Sequence, residues 1–121
     1  DHVRERYGAE PGYITMNVPR LLDVLDKLGI DNPIVCANVN TAAFRKSGGV
    51  EAYREATKRH PARVIAMSVL ASGALPPREA IEWVVQEPYV ASILFGASSR
   101  SNIENTVTLI RDADARFSRA A

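Results

Sequence analysis

The chain has 121 residues, 46% of them hydrophobic, and its 15 basic and 14 acidic side chains leave a formal net charge of +1. That composition excludes a disordered or collagen-like chain and fits one modest globular domain, residues 1–121. The charges are interspersed rather than gathered in a stripe, so neither nucleic acid nor an anionic membrane is an expected partner, and no apolar run approaches the ~20 residues a membrane-spanning helix needs.

Residues 1–11 read as the tail of a helix followed by a loop. The polar start DHVRERYGAEPG does not read as a secretory leader, and it has no initiator Met. We expect part of a larger ancestral fold to be missing upstream. A short strand, Tyr13 to Met16, comes next. Asn17 can cap the helix that follows, with Pro19 in its first turn. Leu21, Leu25 and Leu28 form its apolar stripe, flanked by Leu22, and Gly29 stops it. Asp23 and Lys27 are spaced for an exposed i,i+4 pair worth about 0.3 kcal/mol.

The second strand is Ile34 to Val39, after Pro33. A helix then follows Gly48 and Gly49, presents Val50, Tyr53 and Ala56, and ends at Pro61. The third strand, Val64 to Val69, runs into Leu70-Ala71-Ser72-Gly73. A helix starts at Pro76 and Pro77 and buries Ile81, Val84 and Val85. The fourth strand, Val90 to Phe95, runs into Gly96-Ala97-Ser98-Ser99. The last helix carries a capping box, Ser101 to Glu104, and the stripe Ile103, Val107, Ile110, Ala113 or Asp114, and Phe117. The third and fourth strands are rich in Val, Ile and Leu with little alternation, which suits strands buried on both faces of a parallel sheet.

Alternating β and α elements with short loops predict parallel strands joined by right-handed crossovers. The fold class is therefore α/β, with two architectures open: a (βα)₄ half of a TIM barrel, or a small doubly wound sheet. A half-barrel leaves two open edges and an uncovered inner face, so it should self-associate as a homo-oligomer, with two-fold symmetry expected.

Val64-Ile65-Ala66-Met67-Ser68-Val69-Leu70-Ala71-Ser72-Gly73 resembles the seventh-strand motif of aldo-keto reductases. Phe95-Gly96-Ala97-Ser98-Ser99, followed by a helix carrying Ile103, looks like that family's eighth strand and phosphate-binding turn. Gly12 to Leu28 is similar to its fifth βα unit, and Ile34 to Asn40 to its sixth strand. The resemblance covers residues 12 to 117 and implies the C-terminal half of an aldo-keto-reductase-like barrel. It also implies that the catalytic Asp, Tyr, Lys and His lie on four strands this chain lacks. Several contacts to a nicotinamide dinucleotide depart from the family's pattern. Its Ser-Asn pair falls on Ile14 and Thr15, its Gln on Cys36, its Glu-Asn pair on Asn105 and Thr106, and its Pro on Val69. NADP is thus not carried over as a cofactor, whereas Ser68, Ser72, Gly96, Ser98 and Ser99 still match.

In TIM barrels the site lies at the carboxyl ends of the strands. There the sequence offers Asn17, Asn38, Asn40, Arg45, Lys46, Ser68, Ser72, Ser98, Ser99 and Arg100, donors with a few cations and no obvious acid or base. No catalytic residue and no metal ligand set is assigned. His60, before Pro61, is expected at the opposite end of the strands. Gly96 would let the backbone approach a phosphate, amides from Ser98 to Ser101 would point out of a helix start, and Arg100 adds charge. The same turn is equally a plain strand-to-helix cap. The candidate ligand-binding set is Asn40, Ser68, Ser72, Gly96, Ser98, Ser99 and Arg100, for a small phosphorylated or anionic molecule. Asn38 and Asn40 share one strand face and either line the barrel mouth or satisfy loop carbonyls. Arg45 and Lys46 either sit in a solvated loop or close over an anion. Cys36 reads as a small buried hydrophobe, and Trp83 as packing or part of an association surface. Three functions stay open: a non-catalytic binding half-barrel, an NAD(P)H-dependent oxidoreductase needing another chain for its first four strands, and a flavodoxin-like domain. The expected compartment is the cytoplasm.

Overall fold

The structure, a computed structural model, describes residues 2–117. Its elements are α1 (His2–Tyr7), β1 (Gly12–Thr15), α2 (Val18–Lys27), β2 (Ile34–Asn38), α3 (Gly49–Arg59), β3 (Arg63–Met67), α4 (Pro77–Val84), β4 (Val90–Ile93) and α5 (Arg100–Phe117), with a 3₁₀ turn at Ala71–Gly73. The strands form one parallel sheet in the order β1-β2-β3-β4. A doubly wound sheet needs a point where the strand order reverses. This sheet has none, so the flavodoxin-like alternative is ruled out and the half-barrel order stands.

Right-handed crossovers between sequential neighbours put the helices on one face of the sheet, and burial agrees. Val35, Ala37, Val39, Val64 and Ala66 have no exposed surface. They meet Val18 and Leu22 of α2, Tyr53 and Ala56 of α3, and Ala80, Ile81 and Val84 of α4 in one core. Each buried Val or Leu side chain contributes ~1.5–3 kcal/mol relative to exposure. The opposite face carries the row Ile14, Cys36, Ile65 and Ser92, in register across all four strands. Ile14 is 73% exposed, and Leu94, two residues beyond Ser92, is 55% exposed. The expectation that β3 and β4 are buried on both faces is corrected here: in β3 only the helix-side Val64 and Ala66 are sealed, and in β4 Val90 and Ile93 are no more than half-buried.

Local signals account for the element ends. Asn17 caps α2, its Oδ1 accepting from the Arg20 amide at 3.1 Å. Gly48, at φ 82°, starts α3; a Cβ there would lie 2.7 Å from the Ala52 Cβ. β3 stops at Met67 rather than Val69 because Ser68 turns to φ 53°, which rotates Val69 into the core at 5% exposure. The capping box expected at Ser101 and Glu104 does not form. α5 starts at Arg100, two residues earlier than that box would place it; Ser99 Oγ accepts from the Asn102 amide at 3.2 Å, and Glu104 pairs with Arg100. Ala113, and not Asp114, faces the core, while Ile103 is 46% exposed. Asp23 turns to His60 and Arg59 instead of Lys27.

Candidate functional site

The carboxyl ends of the strands carry four loops, and two of them are tied together. Asn40 is buried, and its amide is committed to the fold: Nδ2 donates to the Phe44 and Ser68 carbonyls, each at 3.2 Å, and Oδ1 accepts from the Phe44 amide at 2.8 Å. Asn38 donates to the Arg45 carbonyl at 3.1 Å. Both asparagines therefore satisfy loop groups, the second of their two sequence readings. Through Asn40 the β2–α3 loop is pinned to Ser68, whose carbonyl also accepts from the Ala71 amide at 2.9 Å. Tyr53, from α3, donates to the Met16 carbonyl at 3.1 Å and secures the loop after β1.

Beyond this framework the remaining candidates are open to solvent. Ser72 is exposed at φ 59° in the 3₁₀ turn after β3. Gly96, Ser98, Ser99 and Arg100 are exposed between β4 and α5. A Cβ on Gly96 would meet nothing within 4 Å, so space does not demand a glycine there. Asn102 Nδ2 donates to Ser98 Oγ at 3.2 Å, and the Ser99 and Ser101 hydroxyls lie 3.0 Å apart. Arg100 Nε donates to Glu104 at 2.8 Å with a side chain 91% exposed. The turn thus works as a helix cap, and it also gathers hydroxyls and a guanidinium at the positive end of an 18-residue helix. Such an arrangement can hold an anion by hydrogen bonding, although the carboxylate of Glu104 already takes the Arg100 guanidinium.

The sequence reading missed a buried charged seam between α3 and α4. Lys46 lies in the β2–α3 loop yet is only 6% exposed. Its Nζ donates to the Asn40 carbonyl at 3.0 Å and stands 5.2 Å from the Tyr53 ring and 5.5 Å from the Trp83 ring. Burial pulls its amine down to about 8; the carboxylate of Glu87 opposes that shift and the Arg54 guanidinium adds to it. Neither a solvated loop nor closure over an anion describes this residue. Arg45 beside it is exposed, its guanidinium 5.2 Å from the Phe44 ring. Further along the seam, buried Glu87 holds Arg54 through both carboxylate oxygens, and the hydrogen bond to Glu87 raises the Arg54 guanidinium above its usual range. Burial first, then the nearby Glu87 carboxylate, raises the Tyr89 phenol. Nothing in the sequence marks Lys46, which follows Arg45 in a polar stretch. Glu87 is hidden by its place before Pro88.

His60 sits at the end of α3 with Nε2 3.4 Å from Asp23 and Nδ1 3.3 Å from Asp26, at the opposite end of the strands from the candidate loops. Cys36 is half-buried on the open sheet face, not in the core, and burial pushes its thiol up. No group of three His, Cys, Asp or Glu able to hold a metal ion occurs among the described residues. No described helix is long and apolar enough to cross a membrane. The positions that would grip a nicotinamide carboxamide do not fit that task. Ile14 is apolar, and the Thr15 hydroxyl already accepts from the Asn17 amide at 2.9 Å.

A crystal structure from Pseudomonas aeruginosa, described as a "putative aldo-keto reductase", superposes on this chain with a TM-score of 0.63 at 23% identity. The match covers 93% of this chain and 40% of that one. The chain has the fold of part of that protein. No family profile matches the sequence, and no curated protein does. The four parallel βα units are thus a partial TIM-barrel-like arrangement, spanning well under half the length of the neighbour.

Proposed function

We propose that this chain is a non-catalytic half-barrel that associates with a second copy of itself and binds a small phosphorylated or anionic molecule at the loops after β3 and β4. One observation carries the association: Ile14 and Leu94 are 73% and 55% exposed on a single sheet face, where apolar surface in water favours a partner. The anion reading rests on the exposed Ser98, Ser99 and Arg100 at the start of α5 and on the exposed Ser72 in the turn after β3. Light scattering tests the first part. A mass twice 13.2 kDa is expected, and a monomer at high concentration contradicts it. For the second part, inorganic phosphate is titrated against the chain and against Arg100→Glu. Weaker binding by the variant is expected; equal binding removes this site.

A second reading is favoured by the structural neighbour: an NAD(P)H-dependent oxidoreductase, active when other βα units supply the reacting groups. Titration of NADPH fluorescence separates the two. No binding at ~1 mM, the weak end of ligand affinity, dismisses the oxidoreductase for the chain by itself.

A further inference from the structure

We propose that a groove at the amino-terminal end of the sheet binds a small monocarboxylate with a flat apolar body, of the arylalkanoate type. The groove lies between the second half of α3 and the segments leading into β3 and β4. Its volume is about 370 Å³, within the range of small-molecule pockets. Pro61, Ala62, Pro88 and Tyr89 make its walls mostly apolar, and Arg54 and Lys58 border it from α3. No carboxylate lines it. The two cations are not equivalent. Arg54 is held by Glu87 and Glu51. Lys58 is exposed and makes no ion pair among the described residues. The groove therefore offers one free positive charge beside apolar walls.

This combination selects the ligand class. Inorganic phosphate would use Lys58 and leave the apolar walls wet. A neutral hydrocarbon would fill the groove and leave the ammonium unmatched. An organic carboxylate uses both, its apolar body displacing water from the prolines and the Tyr89 ring while its carboxylate meets Lys58. The groove is at the other end of the strands from the Ser98–Arg100 turn and stands independently of the function proposed there.

The test is a titration of isotope-labelled chain with 3-phenylpropionate, followed by amide chemical shifts. 3-Phenylpropan-1-ol serves as the uncharged control. Saturable shifts with a Kd near ~1 mM are expected, centred on Ala62, Tyr89 and the end of α3. The alcohol should bind at least ~10-fold more weakly, and Lys58→Glu should weaken the acid by a similar factor, a change of about 1.4 kcal/mol. Lys58 is exposed, so this variant keeps the fold, which its own amide spectrum verifies. The proposal is overturned by no saturable shift, by shifts centred elsewhere, or by equal affinities for acid and alcohol or for wild type and Lys58→Glu.

Discussion

Between the Tyr53 and Trp83 rings, the Lys46 ammonium gives up most of its water for one carbonyl and two aromatic faces. The folded chain holds its proton less tightly than the unfolded chain, about 8 against 10.5. Below pH 8 both states are protonated and the folded state bears the full burial penalty. Between pH 8 and 10.5 only the unfolded state keeps the proton, so stability from this residue rises with pH, by up to ~3 kcal/mol. Lys46→Met should therefore change the pH dependence: the gap between variant and wild type shifts in favour of wild type across that window. Urea midpoints from pH 7 to 10.5 measure it, and a gap independent of pH contradicts the assignment. Arg54 gives a second expectation. Glu87 has a side chain only 3% exposed, against 38% for Arg54, so Arg54→Met strands a buried carboxylate. A loss of about 3 kcal/mol is expected in urea unfolding, and a loss under 1 kcal/mol would mean water reaches Glu87.

Among the elements, what the sequence made legible is what local chemistry dictates. Asn17 before Val18-Pro19 is a cap in sequence and in structure; Asn17→Ala should cost about 1 kcal/mol in thermal or urea unfolding. Gly48 before α3 was readable as a helix start, but its φ of 82° and the closeness of Ala52 were not. Gly48→Ala should cost more than the ~1–2 kcal/mol of a left-handed backbone alone, because two Cβ atoms then collide. A smaller loss in the same unfolding experiment would mean that α3 starts differently. The misread parts depend on contacts between segments distant in the chain. Ser101 and Glu104 have capping-box spacing, yet Ser99 takes the cap one residue before α5. Asn40 looks like a ligand residue from its strand face, yet Ser68, 28 residues on, takes its amide. Lys46 looks solvated until α3 and α4 bring Tyr53 and Trp83 over it. Spacing along a chain cannot report such meetings.

For the molecule as a whole, the two faces of the sheet are unlike. One is sealed by α2, α3 and α4, and the other leaves Ile14 and Leu94 in water. If that second face is the association surface, Ile14→Glu with Leu94→Glu should halve the mass seen by light scattering while leaving the circular dichroism spectrum unchanged. An unchanged mass would move the interface elsewhere.

The strand order has a further bearing, on how the chain reaches this arrangement. Every sheet partner is the next strand in sequence, so each ladder closes over a single intervening helix and no segment must wait for a distant one. Assembly can proceed stepwise from either end, with modest loop-closure entropy at each step. A chain cut before β4 would lose that edge strand together with α5, while the β1–β2 and β2–β3 ladders lie wholly within the part that remains.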